Sequence, residues 1–441
     1  MKSDTAPVAI IGGGFSGTAL AAELTRRGVP VVLIEGGGRA GLGTAYATRE
    51  PVHVLNVRAA VMSARADDPD HFVRFAEAEG GTRHDFVQRG QYGRYLQGQL
   101  EQAEEGGASL IREQAISADR TGGGWTVTTA SGASVAAGAL VLAIGNQPPE
   151  PPCVFAEVGP RFVNNPWSDE ARAAEREAAA SGEPVLLLGT GLTMIDAALS
   201  LDAAGHQSGI LALSRRGLIP RGHVDQPAPP APVDYDELPA GNVLAMWRWL
   251  RQRARSVDWR AAVDSLRPHS QRLWQSFDRA EQRRFLRHAR PWWDVHRHRI
   301  APEVARRIKE LIAEGRLEIA AGRVRKARAV DGGVEVTIAR RGRERAETRS
   351  FGRVFNCTGP LGAITQTRDA LLQQMLGDGM VRPDPLGMAL DVDARSRVVG
   401  SDRVWAMGPL TKGRYWEVVA VPDIRVQAAA VAADIAKELG G

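Results

Sequence analysis

The sequence predicts an α/β chain of two parallel-sheet units, the second inserted into the first. Three observations carry that expectation. "VAIIGGGFSG" (Val8–Gly17) and "LLLGTGLTMID" (Leu186–Asp196) both run from an apolar strand through a Gly-x-Gly turn into a helical pattern. Each is followed by short alternating strands, "GWTVTTA" or "GVEVTIAR", and then by a strand that ends near a glycine, Gly145 in "ALVLAIGN" or Gly359 in "RVFNCTGP". A tryptophan-rich amphipathic stretch interrupts the second unit.

Composition allows this. The chain has 441 residues, long enough for two or three domains, with 44% apolar and 24% charged residues. Its formal charge is +5, and the basic residues are mostly arginine. No dense basic stripe accompanies a nucleic-acid motif, so no nucleic-acid partner is expected. The two cysteines, Cys153 and Cys357, form no Cys-x-x-Cys, which excludes a redox dithiol or zinc ribbon of that pattern. Met1–Pro7 is short and polar for a secretory signal, and no apolar run approaches the ~20 residues of a membrane helix. A cytoplasmic protein without a membrane partner is the expectation.

In the first loop, Gly12, Gly14 and Gly17 fit Gly-x-Gly-x-x-Gly, with Phe15 and Ser16 inside the motif. The first glycine permits the tight turn, the second lets backbone approach a pyrophosphate, and the third lets helix pack on strand. The helix "TALAAELTRRG" stops at Gly28, and the strand "VPVVLIE" ends at Glu35. That carboxylate lies about 20 residues past the loop, where it can accept hydrogen bonds from a ribose. A Rossmann-like dinucleotide-binding cradle is the reading.

The second loop repeats Gly189, Thr190 and Gly191, but Met194 replaces the third glycine. The phosphate site, built from the first two glycines and the helix dipole, survives that change. The following strand ends in "SRRG", so Arg215 and Arg216 stand where the first cradle offers Glu35. Two guanidiniums there suit the 2′-phosphate of NADPH better than the bare ribose of NADH. Alternatively, both point to solvent or to the helical insert.

Paired cradles with paired strand–glycine returns resemble the two-dinucleotide-binding-domain flavoproteins. "GTAYATREPVHVLNVRAAVMSARADDPDHFVRF" followed by "FVQRGQYGRYLQGQL" is similar to the bacterial FAD-NAD(P)-binding flavoproteins related to flavin-containing and N-hydroxylating monooxygenases. The resemblance implies FAD in the first cradle and NAD(P)H in the second. It implies an FAD domain of residues 1–165 and 355–441, and an NAD(P)H domain of residues 166–354 carrying a helical insert at about 222–302. It further implies that Arg89 and Tyr92, with Phe86 and Tyr95, line FAD, and that Asn56 in "LNVRAAVMS" sits beside the reactive flavin edge. The bland alternative for Asn56 is a turn residue bonding its own backbone. Gly408-Pro409 replaces the family's C-terminal Gly-Asp, so another group must serve the ribityl chain.

Six of the ten tryptophans lie between Trp247 and Trp293. "NVLAMWRWLRQRA" places Val243, Trp247, Leu250 and Ala254 on one helical face. Pro291 is expected to break a helix and Pro302 to restart one, leaving a loop with Trp292, Trp293, His296, His298 and Arg299. Plain packing competes with a substrate pocket that uses Trp292, His296 and Arg299. The two histidines stand only two apart, and no metal site is expected.

The function expected is an NAD(P)H-dependent flavin monooxygenase acting on a small polar substrate and O2. The alternatives are an FAD-dependent reductase or dehydrogenase with another acceptor, and a non-catalytic flavin-binding scaffold. Substrate identity and self-association stay open.

Overall fold

The computed structural model describes residues 6–440; Met1–Thr5 of the N-terminal segment lie outside them. The strands are β1 (Val8–Ile11), β2 (Val31–Ile34), β3 (Ser109–Ile111), β4 (Ala115–Thr121), β5 (Gly124–Thr129), β6 (Ser134–Ala137) and β7 (Ala139–Leu142). They continue with β8 (Phe162–Val163), β9 (Val185–Leu188), β10 (Ile210–Ser214), β11 (Leu317–Val330), β12 (Gly333–Arg340), β13 (Glu347–Phe351), β14 (Arg353–Asn356) and β15 (Val404–Ala406).

The first sheet has the order β15-β7-β1-β2-β3 and is parallel throughout. Its strands are apolar on both faces because both are covered. Val8 and Ile10 face the helices Phe15–Arg26, Arg89–Glu105 and Val421–Glu438, whereas Ala9 and Ile11 face the β4–β5–β6 meander and the helix Ala370–Gly377. The layers are therefore helices, parallel sheet, and antiparallel meander.

The second sheet has the order β13-β12-β11-β10-β9-β14-β8. Here the meander is not a separate layer. The 14-residue β11 pairs in parallel with β10 through Ala321, then antiparallel with β12 from Gly322. Phe162–Val163 and Phe355 pair with each other in this sheet, so its edge reaches a few residues beyond the range 166–354 on both sides. A two-residue edge strand leaves no periodicity for a sequence to display.

The excursion between β10 and β11 is closed at its neck by a bridge between Gly222 and Ile300. It has its own small core of Met246, Leu266, Leu273 and Trp293. The helix Val243–Ser256 forms where expected, capped by Asn242 accepting from the Ala245 amide. The expected loop after Pro291 is instead a helix, Arg290–Arg297, preceded by a π-type turn at Phe285–Ala289. Pro291 directly follows the wider π-type turn, an irregularity of the kind that accommodates a proline's missing N–H within a continuing helix.

One buried carboxyl gives this fold a pH dependence. Glu175, on the helix Asp169–Ser181, is 7% exposed, and burial pushes its carboxyl up to about 7. Between the ordinary carboxylate value and about 7 the folded chain binds the extra proton. Stability therefore falls as pH rises through that window. A shift of this size corresponds to about 3 kcal/mol. Glu175→Gln should raise Tm relative to wild type at about pH 8, with the gain fading towards about pH 4.5. Calorimetry at both pH values checks this; a gain independent of pH contradicts it.

Candidate cofactor cradles and active site

The two loops are built alike. Gly12 follows β1 with φ +103°, and a Cβ there would lie 2.5 Å from the Ala143 carbonyl oxygen just past β7. Gly189 follows β9 with φ +108°, and its Cβ would lie 2.2 Å from the Cys357 carbonyl oxygen just past β14. No side chain fits either position. Two residues beyond each carbonyl stand Gly145 and Gly359, both with positive φ and open space around them.

The first cradle is tighter. A Cβ on Gly17 would stand 1.9 Å from the Gly12 carbonyl oxygen, so helix and turn touch backbone to backbone. Gly14 is the N-cap of the helix and faces Gly43, with 3.4 Å between a Cβ there and the Gly43 Cα. Phe15 and Ser16 are buried in the first turn, and Gly408 reaches the same place after β15, where a Cβ would lie 2.6 Å from Ser16 Oγ. The Gly408 amide donates to Gln427 Oε1 at 2.8 Å, and Pro409 has no amide to give. Glu35 accepts from the Gly13 amide at 2.6 Å through Oε2 and from the Gly37 amide at 2.7 Å through Oε1. A carboxylate accepts about four hydrogen bonds, so two backbone amides leave capacity for ribose hydroxyls. The cradle fits the adenosine pyrophosphate half of FAD.

In the second cradle Met194 is fully buried in the first turn of the helix Leu192–Ala203. A Cβ on Gly191 would meet nothing within 4 Å, so the loop stays open to a pyrophosphate. Thr190 Oγ1 meets Ser214 Oγ at 2.8 Å and donates to the Leu218 carbonyl, tying the loop to the end of β10. Arg215 and Arg216 line a cleft of about 670 Å³ together with Arg287, Arg323, Arg325 and Arg341. The guanidiniums of these six have no carboxylate partner among the described residues. Arg340 in the same cleft is neutralised by Glu318 and Glu347.

Several expected site residues are placed differently. Arg89 is engaged at the contact with the second-cradle helix. Its Nη1 and Nη2 donate to the Asp196 carboxylate at 2.9 and 3.0 Å, and its Nε donates to the Val54 carbonyl at 3.0 Å. Tyr92 is fully buried with its hydroxyl donating to the Met62 carbonyl, among the rings of Tyr46, Phe72 and Tyr95. Both residues belong to the inward face of the helix Arg89–Glu105, which also carries Leu96, Gln99 and Ala103 at helical spacing. Phe86 instead meets the insert, packing against His223 and under Arg58.

Asn56 lies at that same contact. Its carbonyl accepts from His223 Nε2 at 3.0 Å, and its half-buried side-chain amide has no partner among the described residues. Burial, and then the Arg299 charge, push His223 down to about 4, so its ring is neutral near pH 7. Arg299 is 5% exposed and paired with Asp264. His296 packs edge-on against Trp259, whereas Trp292 is 41% exposed. The expected trio thus divides into a buried guanidinium paired with a half-exposed carboxylate, an aromatic contact and a surface ring.

The stretch's buried face has another task. Trp293 Nε1 donates to Glu417, and Arg297 stands 3.3 Å from the same carboxylate. Glu417 is 7% exposed and has φ +65°. The insert therefore clamps a strained backbone position four residues before the C-terminal helix. The sequence offered no sign of Glu417 or His223. Asp196 had one: it is a carboxylate in the otherwise apolar run "MIDAAL". Neither cysteine is bonded, and burial holds the Cys357 thiol far above its ordinary range.

Comparison with known proteins agrees with this geometry. The sequence model of the FAD-NAD(P)-binding family matches residues 9–147. No curated protein sequence matches the chain. The chain superposes on ornithine hydroxylase from Pseudomonas aeruginosa in its reduced form with a TM-score of 0.68 at 16% identity, covering 99% of this chain and 100% of that one. For the ornithine N-hydroxylase of Kutzneria sp. 744, solved with reduced FAD, NADP+ and L-ornithine, the TM-score is 0.63 at 15% identity, with 98% and 99% covered. For the thioredoxin reductase of T. acidophilum it is 0.55 at 13% identity, with 99% of each covered. The fold is that of the two-dinucleotide-binding-domain flavoproteins. Residues 9–147, which carry the first cradle, are the part of the chain that matches the FAD-NAD(P)-binding family.

Gly14→Val tests the first cradle, because it places a side chain where backbone must approach the pyrophosphate. The purified variant should be folded and colourless. A folded variant that keeps stoichiometric FAD would move the flavin elsewhere.

Proposed function

We propose that the chain is an NADPH-dependent flavin monooxygenase that hydroxylates a small polar substrate. The observation carrying this reading is the pair of like-built cradles in a chain without a dithiol. Its exposed Cys153 and buried Cys357 are both free. The overall change is RH + O2 + NADPH + H+ → ROH + H2O + NADP+. Bound FAD supplies the two-electron chemistry that links nicotinamide to dioxygen.

The chain's own residues do the rest. Gly12, Gly14 and Gly17 hold the FAD pyrophosphate against the first-cradle helix, and Glu35 accepts from the ribose. Gly189, Thr190 and Gly191 do the same for the nicotinamide nucleotide. Asn56 offers a free amide at the contact between the first unit and the insert, where neutral His223 holds its carbonyl in place. The insert is held against the C-terminal part of the chain by Trp293 and Arg297 on Glu417.

The structures of thioredoxin reductases with this fold support a second reading, a reductase with a non-oxygen acceptor. Oxygen uptake separates the two. Substrate-stimulated NADPH oxidation with matching O2 consumption and hydroxylated product supports the monooxygenase. Rapid reduction of a quinone or dye without O2 uptake supports the reductase. A flavin never reduced by NADPH leaves only a scaffold.

Nucleotide preference follows from the arginine cleft. The 2′-phosphate of NADPH would meet Arg215 and Arg216 at the end of β10. A hydrogen bond to a charged group contributes about 1.5–3 kcal/mol, or roughly 10- to 150-fold in affinity. Arg215→Ala or Arg216→Ala should raise KM for NADPH about tenfold or more and leave NADH nearly unchanged. Wild-type preference for NADH, or an unchanged NADPH/NADH ratio in both variants, contradicts the assignment.

A further inference from the structure

The cradle helix of the second unit is bolted to the first unit by a buried polar joint. Asp196 and Ser200 lie one turn apart on the helix Leu192–Ala203, facing residues 48–54 and Arg89. The Arg89 guanidinium spans the seam with a two-pronged pair to Asp196, both side chains being only 10% exposed. His53 lies beside it, 3% exposed. Its Nε2 donates to the Asp196 carbonyl at 3.2 Å and stands 3.0 Å from Ser200 Oγ. Its Nδ1 accepts from Thr48 Oγ1 at 2.8 Å. Because Nε2 faces a carbonyl, it carries the proton, and burial holds the ring in that neutral form. Trp167, on the segment crossing between the sheets, closes the joint: its ring lies 5.8 Å from the Arg89 guanidinium and edge-on to His53, and its carbonyl accepts from Arg39 Nη1 at 3.3 Å.

The joint has a specific mechanical consequence. Asp196 follows the N-cap Gly191 by five residues, on the helix whose N-terminus would receive the nicotinamide pyrophosphate. Arg89 begins the helix Arg89–Glu105, which packs against the first-cradle helix. The ion pair therefore ties the second-cradle helix to the helix that packs against the first-cradle helix. A planar guanidinium gripping both carboxylate oxygens fixes rotation as well as distance.

We infer that Arg89 and Asp196 are positioning residues for hydride transfer: their pair sets the orientation of the nicotinamide cradle towards the flavin cradle. The inference rests on the functional reading above, which places NADPH in the second cradle. Hydride transfer depends steeply on approach, and a misplacement of about 1 Å can cost about 100-fold in rate. Loosening the joint should thus slow the chemical step while leaving each nucleotide's own contacts intact.

The test uses the apolar pair Arg89→Met with Asp196→Leu, which removes both charges and leaves neither orphaned in the seam. In the FAD-loaded protein, the limiting rate of anaerobic flavin reduction at saturating NADPH should fall about tenfold or more, with the apparent Kd for NADPH changed by less than about threefold. FAD stoichiometry should not change. In the cofactor-free protein, amide exchange in residues 192–203 and 48–54 should rise about tenfold, and that of residues 15–26 should not. A purely structural joint would change exchange or Tm without changing the limiting rate. Should the apolar pair fail to fold, Asp196→Asn, which keeps the shape and weakens the grip, is read in the same way. A limiting rate within about twofold of wild type, or unchanged exchange, overturns the inference. Wild-type protein that NADPH never reduces overturns the functional reading with it; normal wild-type reduction with unaffected variants overturns the joint alone.

Discussion

The backbone contact at the first glycine of each cradle is the constraint on which the rest depends. Gly12 rests against the Ala143 carbonyl and Gly189 against that of Cys357, both closer than any side chain permits. The contact brings the end of the returning strand, β7 or β14, against the turn that opens the phosphate-binding helix. The helix N-terminus then lies at the carboxyl ends of parallel strands, where open α/β sheets bind their ligands. Glu35 and Arg215 inherit their positions from the same arrangement, each following the last residue of the strand beside the cradle. Had either glycine carried a Cβ, the helix would be pushed off its strand and the phosphate site lost with it.

Legibility in the sequence follows the range of the interaction. The cradles were legible because their requirements are local: a strand, a turn needing positive φ, and a helix within ten residues. The inserted order was legible because the pattern repeats. Arg89 and Tyr92 were not, since a helix shows which residues share a face and not what that face meets. Arg89 stands where the inward face runs out at the seam, and its partner is 107 residues away. The stretch "WWDVHRHR" left packing and a pocket in competition for a related reason. Its charges and rings suggested an open pocket, but Arg299 and Arg297 are matched by carboxylates from elsewhere in the chain, Asp264 and Glu417. Pro291 reads as a breaker only until the π-type turn just before it is known.

The helical insert acts as a brace between distant parts of the chain. At its neck His223 holds the Asn56 carbonyl, and Arg58 returns the grip by donating to the carbonyls of Val224 and Asp225. At its far end Trp274 Nε1 donates to the Gly413 carbonyl at 2.8 Å, beside the Glu417 clamp. Positive φ at a buried glutamate is retained only where the surroundings over-determine it. Trp293, Arg297 and His298 supply that determination, so the segment leading into the C-terminal helix has one conformation available. The insert thus holds the Asn56 carbonyl at one end and the segment before the C-terminal helix at the other.

The two cradles share a backbone plan and differ in charge, and under the proposed function that difference would sort their nucleotides. After β2 the first cradle places a carboxylate whose two oxygens are already held by backbone amides, fixed at the height of a ribose. A 2′-phosphate brought there would meet a held negative charge. After β10 the second cradle places two arginines, and β11, β12 and the π-type turn of the insert surround them with more. Like charges gathered without carboxylate partners repel one another, and the arrangement gains most from an anion that enters between them. An FAD adenosine, with bare ribose hydroxyls, suits the first cradle, and a 2′-phosphorylated adenosine suits the second. A single folding plan used twice can hold two different dinucleotides in register because the discrimination rests on the residue that follows one strand in each copy.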